Sequence, residues 1–245
     1  MIKIYSFLIL FILASCHQNQ NKQAAKAFQK LDSKPIKNVA ERKLDSTHET
    51  YPVLIDTLKI GLQKFIVIQN DPRDDKQMNL SILNSKKDTI YVHDTYATNG
   101  FNFEDFDNNG ILDIRLDQIT NVGGVSELIF YDKNNKIFKA VEDFSNYPNP
   151  TKIKNTKYWY SYHRSGCADI NWGSELFKIE NFKVIKIGEI EGIGCEEEKE
   201  NGIFIYKTKG DSRKRIYSEK RKPGYYSDKW DYIENYWNKN YKKFE

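Results

Sequence analysis

The sequence predicts an all-β fold of antiparallel sheets, either a sandwich or a small propeller-like domain, with few short helices. Three observations carry that expectation. Short apolar runs alternate with period two, as in Gly202-Ile203-Phe204-Ile205-Tyr206. Clusters of Asn, Asp, Gly and Lys interrupt them at close spacing, where a chain must turn. Aromatic residues form 14% of the 245-residue chain, and with β-branched residues they suit a pleated, half-buried surface.

The elements follow in order from about Tyr51. Residues 64–69 are β-branched and aromatic and read as a strand, and 70–75, with Pro72, read as a turn. Residues 78–83 alternate, 84–88 punctuate, and 89–92 continue the series. Beyond an acidic loop, 112–120 and 127–131 read as strands, and Asp132-Lys133-Asn134-Asn135 turns the chain into 136–139. Segments 157–162, 174–180, 183–187 and 202–207 complete the set, with a hairpin expected between Glu180 and Lys183. One helix is expected over 230–241, where Trp230, Ile233, Tyr236 and Tyr241 fall roughly on one face.

The first fifty residues have another character. One charge, Lys3, precedes an almost wholly apolar run from Ile4 to Ala14, and small residues then lead to Cys16. The run is shorter than the roughly 20 residues that span a bilayer as a helix. It has the plan of an export signal over 1–15, with Cys16 placed as the lipidated first residue of a bacterial lipoprotein. Residues 16–50 contain few large apolar side chains and read as a flexible tether. Residues 51–245 then form a single all-β domain, held at the cell envelope by a lipid in what is expected to be the outer membrane.

Charge and cysteine usage narrow the function. The net charge of +4 is small. Its basic clusters, Arg213-Lys214-Arg215 and Lys220-Arg221-Lys222, interleave with tyrosines, but export makes nucleic acid an unsuitable partner. With Cys16 assigned to the lipid, Cys167 and Cys195 remain, and an oxidising compartment makes a disulfide their expected state.

The segment 105–113 carries the most specific chemistry. Acidic or amide side chains recur at Asp105, Asp107 and Asn109, Gly110 follows, and Asp113 completes the series. These residues, with the Ile111 carbonyl, match the first nine positions of a calcium loop whose ligands stand at alternate positions and whose sixth residue is glycine. Position twelve is Leu116 rather than a bidentate glutamate, and the segment continues as an alternating strand with Leu112, Ile114 and Leu116 directed inward. The expectation is therefore a structural Ca²⁺ clamp in a sheet rather than a helical switch. An Asp/Asn-rich turn capping its own backbone is the other reading of the same residues.

The stretch from about Phe101 to Ile190 resembles periplasmic proteins related to the Xanthomonas XAC-type immunity lipoproteins, whose fold is similar to inhibitors of invertebrate-type lysozyme. The resemblance rests on the acidic loop, Val122-Gly123-Gly124, Tyr131-Asp132 through Phe138, Tyr147-Pro148-Asn149-Pro150, Ser161 through Gly166, and Glu175-Leu176-Phe177. It implies a tethered, calcium-stabilised protein that binds and blocks a peptidoglycan-cleaving enzyme. It also implies an inserting loop that begins at Ser165 and Gly166. Where relatives carry a tyrosine this chain has Cys167-Ala168-Asp169, so Trp172 or His163 is expected to supply the aromatic contact.

Two alternative functions stand beside this one. A glycan hydrolase needs two carboxylates across a cleft, and the chain has many acids but no G-x-S-x-G or H-E-x-x-H arrangement, so no enzyme is expected. A carbohydrate- or peptidoglycan-binding module would present aromatics such as Trp159, Tyr160, Tyr162, Trp172, Tyr225, Tyr226 and Trp230 as a strip.

Overall fold

A computed structural model describes residues 54–70, 78–96, 98–195 and 201–245. They fall within one compact unit, Glu49–Glu245. The signal, the Cys16 lipid site and the tether lie outside the described residues.

Three antiparallel sheets follow one another along the chain. The first is a meander of β1 (Leu54–Ile60), β2 (Gln63–Asn70), β3 (Met78–Leu83) and β4 (Thr89–Thr95). The second is a meander of β5 (Thr98–Glu104), β6 (Asp113–Gln118), β7 (Ser126–Asp132) and β8 (Ile137–Ala140). The third runs in the order β15 (Ser212–Lys220), β14 (Gly202–Lys209), β13 (Lys183–Ile193), β12 (Trp172–Glu180), β10 (Trp159–Tyr160) and β9 (Thr151–Lys152), with β11 (His163–Arg164) also pairing β12. One α-helix, α1 (Lys229–Asn240), follows the last strand. The all-β, helix-poor expectation thus holds.

The sheets stack, and alternation within β7 shows how. Ile129 and Tyr131 enter a core shared with Leu58, Phe65, Leu80 and Ile82 of the first sheet. Leu128 and Phe130 enter a second core with Trp159, Phe177 and Val184 of the third sheet. The middle sheet is therefore covered on both faces. The other face of the third sheet, through Trp172, Leu176, Ile190 and Ile205, packs against Ile233 and Trp237 of α1.

Several local readings are corrected. Leu112 is exposed and precedes β6, which starts at Asp113, whereas Ile114 and Leu116 are fully buried as expected. Trp230 is exposed, and the helix instead buries Lys229, Ile233 and Trp237 at i, i+4 and i+8. The strand read over 157–162 contracts to Trp159–Tyr160. The expected hairpin between Glu180 and Lys183 forms, and these two residues pair directly across it.

Candidate metal centre and binding loop

The acidic loop is closed at its base by the Glu104–Asp113 pair of β5 and β6. Asn108 (φ 61°) and Gly110 (φ 83°) adopt left-handed backbone that coils the loop tightly. The Asp105 carboxylate accepts the Asn109 and Gly110 backbone N–H groups, each at 2.9 Å. Asp107 accepts the Asn109 N–H at 3.0 Å and its side-chain amide at 2.9 Å, and Asn109 Oδ1 accepts the Ile111 N–H at 2.8 Å. Folded in this way, Asp105, Asp107 and Asp113 bring carboxylate oxygens within 4.8 Å of one another.

Asp113 is the unusual member. It is 1% exposed, and its Oδ2 accepts the Phe106 N–H at 3.0 Å, while its buried Oδ1 has no hydrogen-bond partner. Burial, followed by the Asp107 charge, pushes its carboxyl up to about 8, against the opposing Phe106 N–H. The Lys152 ammonium donates to the Asp107 carbonyl at 2.8 Å and lies 4.5 Å over the Trp159 ring. A buried carboxyl with one oxygen free of hydrogen bonds and two further acids beside it has the donor chemistry of a hard-cation site.

The structure also explains the loop's departure from a twelve-residue calcium loop. Leu116, at the closing position, is fully buried in the core between the first two sheets. Glu104 is committed to Arg115 at 2.8 Å. The three aspartates named from the sequence therefore converge. The Asn109 side-chain oxygen, also named, is engaged by Ile111, whose own side chain is core.

The second region lies between β11 and β12. Cys167 and Cys195 form a disulfide with a Cα–Cα distance of 6.3 Å, as expected from cysteine usage. Next to it, Cys167, Ala168 and Asp169 have φ of 51°, 49° and 72°, three successive left-handed non-glycine residues. Tyr162 and Lys229 hold this turn: both side chains donate to the Asp169 carboxylate, and Lys229 Nζ also reaches the Asp169 carbonyl at 3.1 Å. Arg221 donates to the Ile170 carbonyl at 3.2 Å. Ser165, Gly166 and Ala168 are left exposed at the tip.

The residues expected to face a partner divide. Ser165 and Gly166 are on the surface. His163 is half-buried, with Nε2 2.8 Å from Glu175 Oε1, and its ring occupies the space above Gly173, where a Cβ would lie 2.5 Å from Nε2. Trp172 is 1% exposed and packs in the core under α1, so its assignment to a partner surface is corrected. The aromatic strip is corrected too, because Trp159, Tyr160, Tyr162 and Trp172 are buried and Tyr225 and Trp230 are exposed. Sequence reasoning missed Lys229 and the anchoring role of Asp169. The signal was present: Lys229 stands one and two helical repeats before Ile233 and Trp237, on the buried stripe.

Fold and site together define a layered antiparallel β-domain with an acidic loop and a disulfide-pinned loop. No protein-family model and no curated protein matches this chain. A structural similarity is found to a solved structure described as "Structure of a Xanthomonas Type IV Secretion System related protein", at 10% identity over 66% of this chain and 93% of that chain, with a TM-score of 0.43.

Proposed function

We propose that this protein is a lipid-tethered, calcium-stabilised binding protein of the bacterial envelope whose loop 164–170 blocks a peptidoglycan-cleaving enzyme. One observation carries the reading. The tip Ser165-Gly166-Cys167-Ala168 is small and exposed, and the costly left-handed run from Cys167 to Asp169 is held by a disulfide and a buried ion pair. Backbone strain fixed from outside is typical of functional segments, and prior fixation reduces the ordering cost of inserting a loop into a cleft. A binding role rather than catalysis is supported at Glu175, whose carboxylate is taken up by the Ser161 hydroxyl and His163. Calcium is the cation the three aspartates suit best, with carbonyls and water completing its oxygen shell, since Mg²⁺ seldom uses all-protein cages.

The test is capture and inhibition. The 49–245 unit should retain a murein hydrolase or lysozyme from envelope extracts and inhibit the purified enzyme. Ser165→Arg, which enlarges the tip, should weaken both effects at unchanged melting temperature. Absence of capture and of inhibition across a panel of such hydrolases would sink the reading.

A further inference from the structure

Three turns converge at one end of the second and third sheets: the acidic loop, the β7–β8 turn and the β12–β13 turn. Between them lies a groove of about 410 Å³ whose walls include Asp107, Asn109, Asp132, Asn134, Asn181 and Phe182. That volume lies within the range of small-ligand sites. Carboxylates and amides form its polar rim, with Lys133 among them, and Phe130, Tyr131, Ile179 and Phe182 supply apolar surface.

Phe182 is the informative residue. The β12–β13 hairpin turns on Asn181 and Phe182, with φ of 52° and 63°. A two-residue turn with both central residues left-handed strongly prefers glycine at the second, because a bulky Cβ is strained there. Elsewhere the chain puts glycine at the left-handed first position of its two-residue turns, Gly61 (φ 58°) between β1 and β2 and Gly210 (φ 56°) between β14 and β15. At 182 it carries a phenylalanine, half-buried on the groove wall, with Lys139 Nζ 4.8 Å above the ring. The turn is held in place as well: the Phe182 carbonyl accepts the Glu142 N–H at 2.8 Å.

We infer that this groove is a binding site for an uncharged glycan strand, with Phe182 as the ring against which a sugar face lies. Paired carboxylate and amide groups bond to vicinal hydroxyls, and an aromatic face covers the apolar C–H face of a pyranose. Two aspartates against Lys133 make the groove unfavourable for polyanions. Asp107 and Asn109 belong to both groove and acidic loop, so a cation bound there orders one wall. That dependence rests on the calcium reading above, whereas the binding itself rests on the groove.

The experiment is calorimetric titration of the full-length chain in detergent with chitotetraose, in calcium and in chelator, beside the Phe182→Gly variant. Saturable binding in calcium is expected, weakened in chelator. Phe182→Gly should lose about tenfold or more in affinity while its calcium-dependent shift in melting temperature persists. No wild-type binding, or equal binding by a variant that remains folded, overturns the proposal. Chitotetraose binding without any calcium-induced thermal shift would instead overturn the calcium reading and leave the groove standing.

Discussion

His163 and Glu175 show what a single pair contributes on a sheet surface. The hydrogen bond that the imidazolium donates to Glu175, aided by the glutamate's charge, raises the imidazole above its ordinary value, with burial acting in the opposite direction. A raised value means the folded chain holds that proton more tightly than the unfolded one. The pair's stabilisation is therefore complete below the unfolded value of about 6.5 and is lost as pH rises through the folded value. Melting temperatures of the wild type and His163→Gln, compared from pH 5 to 9, should differ most at the acid end and converge toward the alkaline end. A difference independent of pH would refute this account. Because His163 retains 30% side-chain exposure, the effect should be modest and reduced by salt.

At the scale of elements, legibility follows locality. The acidic loop can be read because its acidic and amide residues are nearly contiguous, β2 and β3 because burial alternates along each, and β14 because its apolar run is unbroken from Ile203 to Tyr206. Strand β15 escapes sequence reasoning because it is an exposed edge strand in which only Ile216 and Tyr217 interrupt Ser, Arg, Lys and Glu, and both are exposed, so its pattern records solvent rather than a core. Strand β5 escapes it because Gly100 and two asparagines dilute its signal. Trp172 is misplaced from sequence for a tertiary reason: only the α1 packing shows that its face of β12 is inward. The pinned loop depends on the same long-range packing, since Lys229 lies sixty residues beyond Asp169. Removing the carboxylate with Asp169→Ala leaves a fully buried ammonium unpaired, which should cost about 3–5 kcal/mol in urea unfolding. The double variant Asp169→Ala/Lys229→Met should lose less than the single one, because the uncompensated charge is gone. Equal losses in the two would show that the ion pair is not what holds this turn.

At the scale of the whole molecule, the acidic loop joins two cores. Phe106, inside it, stacks on Trp159 at 5.2 Å in the core between the second and third sheets. Ile111, also inside it, and Ile114, just beyond, belong to the core between the first and second. A cation that closes the loop therefore fixes the relative placement of both cores, and calcium should raise the midpoint of one cooperative transition rather than stiffen a local segment. At about 100 times its dissociation constant, a ligand specific to the folded state adds about 2.7 kcal/mol. Asp113→Asn separates a metal site from a self-capped turn through the sign of its effect. Without calcium, folding must either protonate Asp113 or bury its charge beside Asp105 and Asp107, and the amide avoids both costs, so the variant should match or exceed the wild type in stability. With calcium, it removes a ligand, so the order should reverse and the calcium-induced shift should shrink. If the loop were only a turn capping its own backbone, the amide oxygen introduced by Asp113→Asn could still accept the Phe106 N–H, and calcium would leave the ranking of the two proteins unchanged. Calorimetric melting of both proteins in calcium and in chelator reads the sign directly.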